Sequence, residues 1–258
     1  MASTRQPGYP RSAARTAVVW DALRDVLGEM SDATASSGLS VLDIGGGTGG
    51  FAVRVAELGH QVTVVDPSPD ALAILARRAE ESGVAERVHA HQGDLAGLAS
   101  LAPGGDNDGV GRFEVVLCHG LLEIVEDPRT ALGTILDVLR PAGTLSLLVN
   151  QRHAAVLGRA MAGHFAQARL LLDDTGDRGG AGGARRFTAE EVRRILDDTG
   201  FEIRALHAVR AFSDLVPSSL VDAEPGAAAA LVELERAVCD RPEYLALATQ
   251  LHALAVRR

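Results

Sequence analysis

Asp43 is the first residue on which chemistry can be built. It lies in an apolar run, Val41-Leu42-Asp43-Ile44, and Gly45-Gly46-Gly47-Thr48-Gly49-Gly50 follows at once. A turn so rich in glycine adopts left-handed φ angles and lets a ligand approach bare backbone. The helix expected from Phe51 to Leu58 adds free N–H groups at its positive end. Gly45-x-Gly47-x-x-Gly50 formally satisfies the dinucleotide pattern. Against that reading, the Asp43 carboxylate points into the place a pyrophosphate would take and disfavours NAD, whereas it suits a ligand with a cationic amino group. A turn that merely joined a strand to a helix would need one or two glycines, not five. Asp66, Asp94 and His119 each stand, like the turn, where a strand-like run ends.

Bringing these positions together requires alternating strands and helices. Strands are expected over Leu39–Ile44, Gln61–Val65 (ending at Asp66), Arg87–Gln92 (ending in Gly93-Asp94), Phe113–His119 and Thr144–Asn150. A helix over Pro69–Ser82 is opened by Ser68 as cap with Pro at its first position and stopped by Gly83. Another over Pro128–Leu139 leads into a sharp turn, Arg140-Pro141-Ala142-Gly143. This alternation implies a parallel sheet with ligand loops at the carboxyl ends of the strands, where Gly45, Asp66, Asp94 and His119 all fall. An amphipathic helix over Ser12–Met30 and a polar linker, Ser31–Gly38, precede it. Behind it, His153–Leu172 reads as helical with an interrupted apolar face. Thr188 with Glu191 forms a capping box for a helix through Asp198. Phe201–Val209 is a strand, Ala227–Val238 a helix, and Leu251–Val256 an apolar final strand. The polar stretches Pro103–Gly109 and Asp173–Ala184 are expected to be flexible, the former without a catalytic part.

At 258 residues the chain can bury one sizeable core. The reading is a single domain: a helical cap (1–38), a ligand-binding half (39–150) and a substrate-facing half (151–258). No apolar run approaches the ~18 residues of a membrane span, and Met1–Arg15 has no signal-peptide core, so a cytoplasmic protein with no membrane partner is expected. Cys118 and Cys239 sit in apolar runs as small buried hydrophobes, and no metal site is expected. A net charge of −9 argues against broad nucleic-acid binding. It leaves room for a local basic face among Arg5–Arg15, Arg77-Arg78, Arg185-Arg186 and Arg193-Arg194, pairs that read equally as solvated helix faces.

Asp43-x-Gly45-x-Gly47-x-Gly49 resembles motif I of class I S-adenosylmethionine methyltransferases. More of the chain resembles the bacterial tRNA 5-carboxymethoxyuridine methyltransferases. The similarity takes in Ala17-Val18-Val19-Trp20, Val41 to Gly47, Ala56 to Val62, His119 to Glu123 with Asp127-Pro128-Arg129, and Val138 to Leu147. Beyond the cofactor half it continues in Val209 to Asp214, Leu234 to Cys239, Pro242, Tyr244 and His252.

The resemblance implies an α/β fold, Rossmann-like, with a seven-stranded sheet whose last strand is antiparallel, flanking helices, an N-terminal helix and a small helical insertion after strand 5. It implies S-adenosyl-L-methionine as cofactor, held by Asp43, Gly45, Gly46, Gly47, Asp66, Pro67, Gly93, Asp94, Leu95 and His119, with Arg11 or Arg5 on its carboxylate. Asp66 would accept from both ribose hydroxyls or else cap a helix. Asp94 would accept from the adenine amino group or else be an ordinary loop residue. His119 and Arg210 are the catalytic candidates, Arg210 as the anchor of an acceptor carboxylate. The sequence after the fourth strand is not the Asn-Pro-Pro-Tyr type, which disfavours methylation of a nucleobase amino group. The acceptor is a carboxylate, tRNA-borne or on a small molecule. An O-methyltransferase of specialised metabolism and a non-catalytic cofactor-binding subunit are the alternatives, and a monomer or homodimer is expected. The basic segment that family places near RNA is replaced here by Asp173-Asp174 and a glycine loop.

Overall fold

The computed structural model describes residues 11–34, 38–100, 112–172 and 184–258. Seven strands form one sheet: β1 (Ser40–Ile44), β2 (Gln61–Asp66), β3 (Val88–Gln92), β4 (Phe113–His119), β5 (Leu139–Asn150), β6 (Phe201–Val209) and β7 (Gln250–Arg257). Their order is β3-β2-β1-β4-β5-β7-β6, and only β7 runs antiparallel to its neighbours. The central strands read as unbroken apolar runs because both faces are covered: Val41, Leu42, Val115, Val116, Leu117 and Cys118 are fully buried. At the edge, β3 is polar and mostly exposed.

The helices are α1 (Arg11–Thr34), α2 (Ala52–Glu57), α3 (Pro69–Glu81), α4 (Pro128–Val138), α5 (Arg152–Met161), α6 (Phe165–Leu172), α7 (Ala189–Asp198), α8 (Ser218–Ala223), α9 (Ala227–Val238) and α10 (Pro242–Leu245). Leu23 and Leu27 of α1, Ala52, Val53 and Val55 of α2, and Leu75 and Ala79 of α3 cover one face of the sheet. Leu132 and Ile135 of α4 and Val192 and Leu196 of α7 cover the other. The Arg54 guanidinium lies 3.7 Å over the Trp20 ring and ties α1 to α2.

Capping follows the residue types. Ser68 Oγ accepts from Ala71 N–H, Asp127 from Arg129 and Thr130, and Thr188 and Glu191 form a reciprocal capping box. Arg152 of α5, buried, donates to both Glu191 oxygens, at 2.9 and 2.8 Å. Three expectations are corrected. The first helix runs on to Thr34, shortening the expected linker. The turn at Arg140–Gly143 is a bulge within β5: Leu139 pairs with Phe113, Thr144 with Val115, and Ala142 takes φ 60° so that the extra residues loop out. The helix over 153–172 breaks into α5 and α6 because Gly163, at φ 77°, adopts the left-handed conformation that ends a helix. The expectations for Pro103–Gly109, for residues 173–183 and for Arg5 lie outside the described residues, as does the side chain of Arg11.

Candidate active site

The first half of the glycine turn is tied to β2 by two bonds. Gly45 N–H donates to the Val65 carbonyl at 2.7 Å, and Gly47 N–H donates to Asp66 Oδ2 at 2.9 Å. A Cβ on Gly46 would stand 2.6 Å from the Asp43 carboxylate, and one on Gly49 would stand 2.2 Å from Leu75 Cδ1. Position 46 therefore keeps room beside a carboxylate, whereas position 49 lets the turn close on α3.

Asp43 is 4% exposed. Burial first, and then the charge of Asp66, push its pKa up to about 7. A carboxyl group held there is poised to ionise when a cation arrives. Asp66 braces the turn: beside its bond from Gly47, its Oδ1 accepts from Ser68 N–H at 2.9 Å. Each oxygen retains lone-pair capacity for a ligand hydroxyl. Gly93 N–H donates to the Asp66 carbonyl at 3.2 Å, joining the ends of β2 and β3. Pro67 is exposed at that edge, and Leu95 is half-buried against the core. Asp94 is exposed and accepts from Ala96 and Gly97 N–H at 3.1 and 3.2 Å, so it organises its own short 3-10 turn, Leu95–Ser100.

His119 closes β4 beside Phe51, the rings 4.8 Å apart and edge to face. Its Nε2 is 2.9 Å from Ser146 Oγ, while its Nδ1 is buried without a partner. Burial lowers its pKa to about 4, so the ring is neutral at physiological pH.

The same carboxyl edge carries a polar row that the sequence showed only in part. Glu123 is buried, accepts from Asn150 N–H at 2.8 Å through Oε1, and has no partner on Oε2. Burial raises its pKa; the Asn150 bond opposes this. Asn150 Oδ1 accepts from Gln250, whose own carbonyl lies 3.5 Å from Arg210 Nη1. Arg210 follows β6 at φ 60°, a strained angle for a side chain of its size. Its Nη2 pairs with Asp214 at 2.6 Å, and its Nε is buried without an acceptor. Arg15 stands 3.6 Å from the same Asp214. Glu235, 1% exposed, holds this loop by accepting from the N–H groups of Ala211, Phe212 and Ser213 and from the Ser213 hydroxyl, at 2.6–3.0 Å.

Sequence reasoning missed Glu123 as a site residue and the bracing role of Glu235; a carboxylate inside an otherwise apolar helix face is the signal that marks Glu235. The Arg185-Arg186 pair is also not a simple solvated face. Arg185 is buried and donates to the carbonyls of Leu122, Val125 and Glu126, stapling the loop after β4.

A family model described as a methyltransferase domain matches residues 15–206. The tRNA 5-carboxymethoxyuridine methyltransferase of Escherichia coli (strain K12) is 30% identical over 251 residues, 96% of this chain and 90% of that one. A ubiquinone biosynthesis O-methyltransferase of Xanthomonas euvesicatoria pv. vesicatoria is 33% identical over 54% of each chain. Among solved structures, magnesium protoporphyrin IX methyltransferase from Synechocystis PCC 6803 with bound SAH matches with a TM-score of 0.57 at 16% identity, covering 98% of this chain and 90% of that one, which speaks for the fold.

The residues present fit the methyl donor of this family. The buried Asp43 carboxyl suits the ammonium of an amino-acid group, Gly46 adds no side chain beside it, and the lone pairs of Asp66 suit a diol. With the family match running from α1 through the glycine turn into β6, and the likeness to the tRNA-modifying relative covering 96% of the chain, the chain belongs to the methyltransferase-domain family as an S-adenosyl-L-methionine-dependent enzyme.

Proposed function

We propose that this enzyme methylates a carboxylate oxygen, and that the first acceptor to test is 5-carboxymethoxyuridine carried by tRNA. The observation that carries the reading is Arg210, a guanidinium held in a strained backbone conformation at the carboxyl edge, with a buried Nε–H that has no acceptor and an Nη2 already engaged by a carboxylate. Backbone strain maintained by a fully committed buried glutamate is a mark of a functional position. The likeness to the tRNA-modifying relative across 96% of the chain supports the same choice.

S-adenosylmethionine, when bound, supplies a methyl group on a sulfonium that leaves as a neutral thioether. What the protein must add is placement. Asp43 takes the ammonium, Asp66 takes the ribose, and Arg210 orients the acceptor by a charge-assisted pair. A free carboxylate has an ordinary pKa near ~4 and is ionised at neutral pH, so this acceptor needs no base.

The second acceptor source is a free small carboxylic acid. It is favoured by the inward Arg185, which leaves less basic surface for RNA on a chain of net charge −9. Mass spectrometry of tRNA nucleosides from cells with and without the gene separates the two. Loss of the methyl ester on deletion, restored by purified protein with the donor, is the result expected for tRNA. An unchanged nucleoside profile, with no esterification of tRNA in vitro, would rule it out.

A further inference from the structure

Behind His119 a line of buried polar side chains crosses the sheet to the surface. His119 Nε2 lies 2.9 Å from Ser146 Oγ, and Ser146 Oγ lies 2.8 Å from His252 Nε2. His252 Nδ1 lies 3.2 Å from His207 Nδ1, with the two rings stacked at 5.3 Å, and His207 Nε2 lies 3.3 Å from Asp240. Ser146 and His252 are fully buried, His207 nearly so, and the Asp240 side chain is 78% exposed. Four polar side chains on neighbouring strands of an apolar sheet, each within reach of the next, need a reason, because burying them costs far more than packing aliphatic residues there.

The proton positions along this line follow from its outer end. An ionised Asp240 only accepts, so His207 must present Nε2–H to it and is left with a bare Nδ1. His252 then donates through Nδ1–H and accepts on Nε2. Ser146 must donate its hydroxyl proton to that Nε2 and accept from His119. His119 therefore carries its proton on Nε2 and leaves Nδ1, the atom without a partner, as a bare lone pair. The lowered pKa values of His119, His207 and His252, all caused first by burial, agree with three neutral rings.

We propose that this line sets His119 as a proton acceptor and drains its proton to Asp240, giving the enzyme a second acceptor class, an acidic hydroxyl such as a phenol. The proposal rests on the reading of the chain as an oxygen methyltransferase. The acceptor O–H proton goes to His119 Nδ1, the oxygen's electron pair forms the bond to the methyl carbon, and the pair of the methyl–sulfur bond stays on sulfur. The Nε2 proton of His119 passes to Ser146, the Ser146 proton to His252 Nε2, and the His252 Nδ1 proton to His207 Nδ1. The Nε2 proton of His207 leaves to Asp240 or water. His119 is the catalytic residue; Ser146, His252, His207 and Asp240 position it.

The test is nitrogen NMR of the full chain labelled in histidine, joined to turnover of two probes, 4-methylphenol, which keeps its proton at neutral pH, and phenoxyacetate. Expected is an Nε2–H tautomer at His119 and His207 and an Nδ1–H tautomer at His252. Asp240→Ala, a surface change that spares the fold, should mix these tautomers. Ser146→Ala should lower the ratio of phenol to phenoxyacetate turnover by about 100-fold, the scale of one general base. Nδ1–H at His119, unchanged tautomers in Asp240→Ala, an unchanged ratio in Ser146→Ala, or no turnover of the phenol by the parent would each overturn the inference. Esterification of phenoxyacetate without phenol turnover defeats this inference and leaves the carboxylate reading intact. Phenol turnover without the ester does the reverse.

Discussion

Cofactor affinity should depend on pH through one side chain. Burial and the neighbouring charge of Asp66 push Asp43 up to about 7, from an ordinary 3.8, before anything binds. Against the ammonium of the cofactor the ionised form is favoured, so the bound value falls well below 7. Between the two values, binding must expel one proton, and affinity should rise about tenfold per pH unit. From pH 5 to pH 7 that is up to about 100-fold, or about 2.7 kcal/mol at 1.36 kcal/mol per unit. Calorimetric titration over pH 5–7 in two buffers of different ionisation enthalpy measures both quantities. We expect close to one proton released below pH 6. The upper limit stays under the range where the cofactor's own amino group, near ~8, begins to lose its charge. Asp43→Asn should bind weakly with a flat profile. The same shift has a stability consequence of opposite sign. Asp43 is protonated in the folded apo protein between about 4 and 7 but ionised in the unfolded chain. Its favourable contribution is therefore complete below the unfolded value and lost as pH rises through the folded one. A parent whose affinity does not change between pH 5 and 7, and which releases no proton, would refute the placing of the ammonium on Asp43.

Asp66→Ala should weaken cofactor binding by ~2–3 kcal/mol. It removes the ribose acceptor and also frees the Gly47 and Ser68 N–H groups it now holds; unchanged affinity in calorimetry would contradict both roles. Arg210→Ala should cut turnover of a carboxylate acceptor by about 100-fold, the scale of a misplaced substrate, with cofactor affinity within about twofold by the same titration. Glu191→Ala should destabilise the fold by about 3 kcal/mol in urea, because it breaks the capping box and strands the buried Arg152. Glu191→Gln should cost less, since it keeps the cap and loses only the charge. For the parent acting on a carboxylate with the donor saturating, the pH–rate profile between about 6 and 8 should be nearly flat, because the acceptor is ionised and His119, held near 4, stays neutral across that range.

The sequence by itself determined the strand–helix frame of the first half and which residues close its strands. A glycine turn after an acidic strand, and Asp66, Asp94 and His119 at strand ends, are local signals. Once strands and helices alternate, the right-handed crossover places all of them along one edge. Helix starts at Ser68 and Thr188 were legible for the same reason, since a cap is a bond between residues three apart. Tertiary structure decided what depends on distant partners. It set Arg185 inward and made Arg140–Gly143 a bulge rather than a turn. It also joined Ser146, His207 and His252, which lie in strands that are neighbours only because β7 inserts antiparallel between β5 and β6. Whether a buried polar side chain is stranded or partnered depends on cross-strand register, and register is set by packing between segments a hundred residues apart.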